Sequence, residues 1–406
     1  MEAGSADPAR MEAGSLDPAY FLMSAYVFGE FVFWSAIALV VYAYAGYPLA
    51  LFLLSRLRQR PVLKGPVTRP VSFIITAHNE AGRIRAKIEN TLSQHYPQSA
   101  LDVIVASDCS TDDTDTIVQS FAPRVRLVRA TERRGKEAAQ QLAVEAATGE
   151  ILIFSDVATA LAPDAVQTMA ANFADTSVGC VSSVDRFVDE QGRVSGEGAY
   201  VRYEMKLRAL ETAVNSLVGL SGSFFAARRE VCRHWKADRQ SDFNTLLNSI
   251  SIGLRGVQDP LSVGYYRNIV NDRNEMGRKI RTVVRGLFVL RSNLRLLNPF
   301  RYGLFAWQLA SHKLCRWLVP IAMIVALVAN TVLALYSAWY FGLAVVHLGF
   351  YLLALVGIVS RVGHLRIPAF FVLANAGVLV AWLRFLRGDR IVSWTPSQRV
   401  NTLPQV

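Results

Sequence analysis

The chain has 406 residues, 52% of them hydrophobic, and carries a formal net charge of +11. A mean hydropathy of +0.26 excludes an ordinary soluble composition and points to membrane segments at particular places in the chain. The basic excess suits an anionic membrane surface or a phosphorylated substrate, and with hydrophobic blocks near both ends, nucleic acid is the least suited partner and none is expected.

In chain order, MEAGSADPAR is followed at once by MEAGSLDPAY, a decamer repeated with two changes. It reads as a small duplication, or as a start at Met11, and carries no functional signal. Residues 1–30 form an expected extracytoplasmic tail. From Phe31 to Leu54 the sequence FVFWSAIALVVYAYAGYPLALFLL holds no charge over 24 residues, enough to cross a hydrocarbon layer of about 30 Å. This predicts a transmembrane helix over 31–55, kinked at Pro48. Arg56, Arg58, Arg60 and Lys64 follow directly, which places the next segment in the cytoplasm. No basic stretch or small-residue cleavage site precedes the helix, so it is expected to be an uncleaved anchor.

Residues 66–298 are the one stretch long enough for a folded domain, expected to be cytoplasmic. Val71 to Thr76, Val103 to Ala106, Val125 to Val128 and Ile151 to Phe154 are short apolar runs that predict buried strands. Glu80 to Ser93, Asp112 to Phe121 and Lys136 to Ala147 have apolar positions at helical spacing. The alternation predicts an α/β domain whose mainly parallel sheet has helices on both faces. Beyond it, Asn298 to Lys313 mixes aromatic with basic residues, which predicts an interfacial helix over 299–315 or a helix packed in a bundle. Residues 316–387 hold three hydrophobic spans, near 317–336, 339–359 and 367–386. Arg361 and Arg366 favour a cytoplasmic loop, and so do Arg384, Arg387 and Arg390 after the last span. Segment 367–386 is therefore re-entrant or interfacial, or the tail 388–406 lies outside against the rule. Cys109, Cys180, Cys232 and Cys315 are scattered without metal spacing, and reduced thiols are expected.

Ligands of such sheets bind beyond the carboxyl ends of the strands. Those ends carry Ala77-His78-Asn79-Glu80, then Ser107-Asp108-Cys109-Ser110-Thr111-Asp112, then Ser155-Asp156. Singly, Asn79 or Asp112 could be a helix cap; together these residues outline one acidic crevice.

VSFIITAHNE, VIVASDCSTDDT, GKEAAQQLAVEAATGEILIFSD and APDAV resemble the donor-binding half of membrane-bound family 2 glycosyltransferases, which have a GT-A fold. The resemblance continues through GEGAYVRYE, GLSGSFFAARRE, QSDFNTLL, ASHKLCRWLVP and the closing WTPSQR. It implies a nucleotide-sugar-binding domain flanked by transmembrane helices, one before and about three after. It implies that Thr76, Ala77, Glu80 and Asp108 surround the nucleoside, with Asp108 accepting from a uracil edge. Lys136 would approach the donor diphosphate, or else be a solvated lysine at a helix start. Asp156 takes the first place of the family's D-x-D metal motif for Mg2+ or Mn2+, and Ala158 stands where the second acid or an asparagine would be. One carboxylate can suffice for a cation that keeps waters and takes substrate phosphates; read alone, Asp156 is a capping residue. Asp242 is the implied acceptor base, with Phe243 where many relatives have a further aspartate; Asp242 or Ser241 would alternatively cap the helix. Where processive synthases carry Q-x-x-R-W, this chain keeps Arg281, which the resemblance implies still reaches the donor diphosphate, but has Arg278 and Thr282, which argues against processive extrusion.

The implied function is inverting, metal-dependent transfer from a UDP-sugar to a lipid-linked or growing glycan at the cytoplasmic face of the inner membrane, in polysaccharide or glycolipid synthesis alongside polysaccharide-assembly proteins. A polyprenyl-phosphate sugar transferase and a catalytically degenerate membrane scaffold are the alternatives.

Overall fold

The computed structural model describes residues 18–66, 68–188, 199–267, 272–360 and 363–389. Residues 1–17, which hold most of the two decamers, the first residues of GEGAYVRYE, Arg361, Arg390 and WTPSQR lie outside the described residues. The chain divides into two compact units, one of residues 1–42 with 318–373, the other of residues 43–317 with 374–406.

The larger unit is built on an eight-stranded sheet: β1 Val71–Ala77, β2 Leu101–Ser107, β3 Val125–Arg129, β4 Ile151–Asp156, β5 Ala160–Leu161, β6 Val178–Val188, β7 Phe224–Arg228 and β8 Arg255–Arg267. Their order is β3-β2-β1-β4-β7-β6-β8-β5. β3, β2, β1 and β4 run parallel, as the apolar runs predict, because the intervening helices Ala81–Leu92, Thr114–Gln119 and Lys136–Ala146 return the chain across the faces. β7 then enters antiparallel between β4 and β6, and β8 runs parallel to β6. Every residue of β1 is buried, so its side chains supply both faces: Phe73 and Ile75 join one core cluster, Ile74 the other. On the second face the Phe154 ring stacks on Phe225 at 4.7 Å and Trp235 at 5.0 Å. Burial of each such ring contributes roughly 1.5–3 kcal/mol. This face carries the helix that starts at Lys136, so its packing holds the crevice's rear wall.

The first apolar segment is helical from Pro18, earlier than the predicted start, and runs to Leu57 through a wider π-type turn at Tyr42–Gly46. That turn lies just before Pro48, which has no N–H to give to the carbonyl four residues back. The released carbonyl of Tyr44 instead accepts from the Tyr203 hydroxyl at 3.0 Å.

The segment 299–315 is not one straight helix. Pro299–Tyr302 and Leu304–Leu309 are short turns, followed by a π-type turn at Ala310–Cys315. Phe305 and Leu309 are buried in a cluster with Phe243, Leu247 and Leu290. His312 is held between Glu211, 2.6 Å from Nδ1, and Glu204, 3.0 Å from Nε2, while Arg316 pairs with the other Glu204 oxygen at 2.9 Å. Breaking such an enclosed pair leaves an uncompensated charge, at a cost of about 3–5 kcal/mol. The last helix, Arg366–Arg387, is continuous; its C-terminal half packs through Phe385 on Phe288, and Trp382 donates to the Trp317 carbonyl at 2.7 Å.

In the smaller unit, Phe33, Ala322, Ala326, Leu333 and Tyr340 form an apolar core. The Tyr340 hydroxyl donates to Glu30 and accepts from Trp34, both at 3.0 Å. Among the described residues, four helical segments, Met23–Leu57, Leu304–Leu333, Ala338–Ser360 and Arg366–Arg387, are long and apolar enough to cross a membrane.

Candidate active site

Two neighbouring strand ends are laced together before any ligand is considered. Asn79 and Cys109 adopt φ of 53° and 54°, left-handed values that non-glycine residues take at a cost. Their loops exchange hydrogen bonds: Thr111 N donates to Asn79 Oδ1 at 2.8 Å, Glu80 N to Thr114 Oγ1 at 2.8 Å, and Ala81 N to Asp112 Oδ2 at 3.0 Å. Asn79 and Asp112 are thus spent on loop structure. Glu80 is buried against Arg83, 2.6 Å away. Burial pushes its carboxyl up, and Asp156 and Asp112 add to that, while Arg83 opposes it. Thr76 is fully buried, and its Oγ1 has no hydrogen-bond partner among the described residues; Ala77 beside it is equally enclosed.

Asp108 is fully buried, and both its oxygens accept from backbone amides: Oδ1 from Arg134 N at 2.9 Å, and both oxygens from Gly135 N at 3.0 Å. Gly135 has φ of +96°, which only glycine adopts freely, and this turns two successive amides onto one carboxylate. Asp108 thereby fixes the loop that launches the helix Lys136–Ala146. The resemblance implies that this carboxylate accepts from a uracil edge; in the structure its oxygens accept from the loop, because the turn at Gly135 brings the amides within reach.

Lys136 is not a solvated lysine. It is 8% exposed, and its Nζ lies 2.5 Å from Asp156 Oδ1 and 2.8 Å from the Gly222 carbonyl. Asp156 ends β4 without capping a helix. Asp156 and Ala158 are partly exposed while Ser155, Val157 and Thr159 are buried, so residues 156 and 158 face the same open side. Among the described residues, nothing donates to Asp156 Oδ2, and no three His, Cys, Asp or Glu cluster as a metal cage. Such a donor set fits a hard cation that keeps waters and shares substrate phosphate oxygens.

The loop Gly219–Ser223 is the spine of the crevice. At Gly222, Lys136 bonds the carbonyl on one side; on the other, a Cβ built on the glycine would stand 2.8 Å from Asp242 Oδ2. Asp242 is not the helix cap. The helix is Ser241–Ser251, its cap position is Gln240, and no side chain caps it; Asp242 Oδ1 accepts from Phe243 N at 2.7 Å. Burial raises the Asp242 carboxyl above the ordinary range, against the pull of that N–H, Lys136 and Arg285. Arg285 pairs with Glu137 at 2.5 Å, which ties the helix Asp272–Arg291 to the start of the Lys136 helix. Arg281, one turn earlier, is part-buried; burial and then Arg285 and Arg278 lower its pKa.

Two groups were not legible as site residues. Lys87 is fully buried beneath the β4 end, donating to Ser155 Oγ at 2.8 Å and the Thr159 carbonyl at 2.7 Å. Burial brings it down to about 7, with Asp156 opposing. The available signal was its place among Ile84, Ile88 and Thr91 on the core face of a helix. The second group is Asp185, which accepts from Ser221 Oγ at 2.7 Å and Tyr266 OH at 3.0 Å, with Ser223 bonded to Tyr266. Burial, then Asp185 and Asp156, push the Tyr266 phenol well up. Its signal was Ser-Gly-Ser at 221–223.

Residues 72–235 match the model for "Glycosyl transferase family 2". The chain carries a family 2 glycosyl transferase domain. The domain's fold is similar to the mannosyltransferase PcManGT from Pyrobaculum calidifontis, solved with GDP-Man and Mn2+: TM-score 0.67 and 24% identity, over 88% of this chain and 99% of that one. Among curated relatives, the succinoglycan biosynthesis protein ExoO of Rhizobium meliloti is 33% identical over 24% of this chain and 28% of its own length. The hyaluronan synthase of Streptococcus pyogenes serotype M3 is 23% identical over 62% of this chain and 61% of its own. The chain spans under a third of the first curated relatives it matches. The GT-A fold and the family 2 domain are thus as the strand-end motifs led us to expect.

Proposed function

We propose that the chain is a membrane-anchored inverting glycosyltransferase that moves a sugar from a nucleotide donor, a UDP-sugar, to a lipid-linked or growing glycan acceptor at the cytoplasmic face. The observation that carries this is the loop at Gly222, which has Lys136 and Asp156 on one side and Asp242 on the other. An acceptor hydroxyl attacks the anomeric carbon, the bond from that carbon to the diphosphate oxygen breaks, and the nucleoside diphosphate leaves with the electron pair. Asp242 takes the hydroxyl proton; burial raises its pKa, which makes it a stronger base than an ordinary carboxylate. Lys136 places a fixed positive charge where the diphosphate develops negative charge. Asp156 would hold Mg2+ or Mn2+, which when bound would supply further Lewis-acid neutralisation of that group. Thr76, Ala77 and Glu80 line the nucleoside end, Asp108 acts there through the amides of residues 134 and 135, and Arg281 reaches toward the diphosphate.

The test is a screen of radiolabelled nucleotide sugars on membranes containing the chain, with Asp156→Ala and Asp242→Asn as controls. The reading requires incorporation from at least one donor and its loss in both variants. Incorporation untouched by both sinks the assignment.

A further inference from the structure

We infer that Lys313 and Arg208 form an anion subsite on the acceptor side of the crevice, built to hold the phosphate ester of a lipid-linked acceptor. This rests on the reading of the Asp156–Asp242 crevice as the transfer site and adds to it the handle by which the acceptor is held.

The argument begins with unbalanced charge. Around His312 the structure places three basic side chains, Arg208, Lys313 and Arg316, and two acids, Glu204 and Glu211. The acids are already engaged: Glu204 gives one oxygen to His312 at 3.0 Å and the other to Arg316 at 2.9 Å, and Glu211 takes His312 at 2.6 Å. Among the described residues, no carboxylate lies within ion-pair distance of Lys313 or Arg208. Lys313 Nζ instead lies over the Phe243 ring, 5.4 Å from its centroid, and 3.4 Å from where a Cβ on Gly219 would stand. Among the described residues, Arg208 makes neutral hydrogen bonds alone, to the Leu220 carbonyl at 3.2 Å and Ser182 Oγ at 3.5 Å.

Both cations therefore flank the Gly219–Leu220 end of the loop whose other end, Gly222, separates Lys136 from Asp242. Phe243, which carries the Lys313 contact, directly follows the proposed base. The donor diphosphate has its own cation at Lys136, so this second pair is placed for a different anion, one that arrives beside the base.

The chain supplies the direction of arrival. Lys313 lies on the helical segment Leu304–Leu333, which has 30 residues. Such a helix is about 45 Å long, half as much again as the hydrocarbon layer of about 30 Å, so its polar first turns extend beyond that layer. An anion held there stands at headgroup depth. A phosphate or diphosphate joining a prenyl chain to its first sugar carries its charge at that depth, with sugar on one side and lipid on the other.

The experiment uses the purified full chain in detergent and measures binding of radiolabelled farnesyl diphosphate, with phosphatidylglycerol vesicles and inorganic pyrophosphate as competitors. Lys313→Met and Arg208→Gln are each expected to weaken binding about tenfold or more. Lys313→Arg should retain it, and UDP binding should be unchanged in all three. Competition by pyrophosphate supports the phosphate site; competition by vesicles alone reassigns the pair to bulk headgroups and overturns the inference. Equal farnesyl diphosphate binding by wild type and both charge-removing variants also overturns it. Donor-sugar turnover is read on the same samples: turnover lost in Asp156→Ala alongside unaltered lipid binding in Lys313→Met sinks the subsite and leaves the transfer reading standing. Absence of any turnover sinks the reading and the acceptor role with it.

Discussion

Lys87→Met separates what a buried amine does for the fold from what it does for the site. Its Nζ uses two N–H groups, on Ser155 Oγ and the Thr159 carbonyl, and a third proton would meet only the Phe73 ring, 5.5 Å away. The neutral amine is thus the form the pocket satisfies, in keeping with a pKa brought down by burial to about 7 from 10.5. Across the interval between those values the unfolded chain binds the proton and the folded chain does not, so this group makes stability rise with pH. Integrated from about pH 7 to about pH 9, the gain is about 2 kcal/mol, and methionine, which cannot titrate, removes it. At pH 7 the wild-type chain bears about 4 kcal/mol of charging penalty, against which the variant forfeits two hydrogen bonds and leaves two acceptors unpaired at about 1–3 kcal/mol each. Near-equal stability at neutral pH is expected. Sugar transfer should nevertheless fall about tenfold or more, because the turn from Asp156 to Thr159 is no longer pinned at both ends. The assay pairs thermal melts of the detergent-purified chain at both pH values with transfer rates on the same samples. Identical pH slopes in wild type and variant, or full transfer in a variant lacking the slope, would refute the reasoning.

Gly222→Ala puts a methyl group 2.8 Å from Asp242 Oδ2, so the carboxylate must swing aside; transfer should drop about tenfold or more with the melting temperature nearly unchanged. Ala158→Asp adds a second carboxylate to the open face shared with Asp156, and a titration of activity against Mn2+ should show half-activation at lower metal. Arg285→Met removes a cation that holds the Asp242 carboxyl down and frees Glu137, which pushes it up. The acid limb of the pH–rate profile should therefore move to higher pH, since the base must be ionised to act; a limb that stays in place contradicts the assignment of Asp242. Asp175 is brought to about 2 despite burial, by Ser177 and Arg255, so its folded pKa is depressed and its stabilisation is lost as pH falls through that value. Asp175→Asn should flatten the acid end of the stability curve.

Local signals were strongest where one element explains itself. The runs at 71–76, 103–106, 125–128 and 151–154 became β1 to β4 because a parallel strand buried on both faces is apolar throughout, and a short stretch suffices to show it. β7 was not legible as an antiparallel insertion between β4 and β6, since FFAAR has the same composition in either direction and only its pairing partners decide. Pro48 marked a kink, but the π-type turn lies ahead of it, where the missing donor is felt. Of the candidate site residues, those on strand ends and helix starts are the ones that position in the sequence singles out. Lys87 was hidden because a lysine on a helix reads as solvated unless its neighbours at helical spacing are recognised as core. The Asp185–Ser221–Tyr266 group was hidden because three segments far apart in sequence assemble it. Asp108 shows the limit in the other direction: its place at the end of β2 is legible, but its partners, two amides of a glycine turn, depend on φ at Gly135.

The central claim is that Asp156 and Asp242 serve two halves of one reaction across the loop at Gly222. UDP binding in the presence of Mn2+, measured by calorimetry on wild type, Asp156→Ala and Asp242→Asn, tests it most directly when each sample is also assayed for transfer. The account predicts weakened UDP binding and lost transfer in Asp156→Ala, and wild-type UDP binding with lost transfer in Asp242→Asn. Wild-type binding in Asp156→Ala, or transfer surviving in Asp242→Asn, would contradict it.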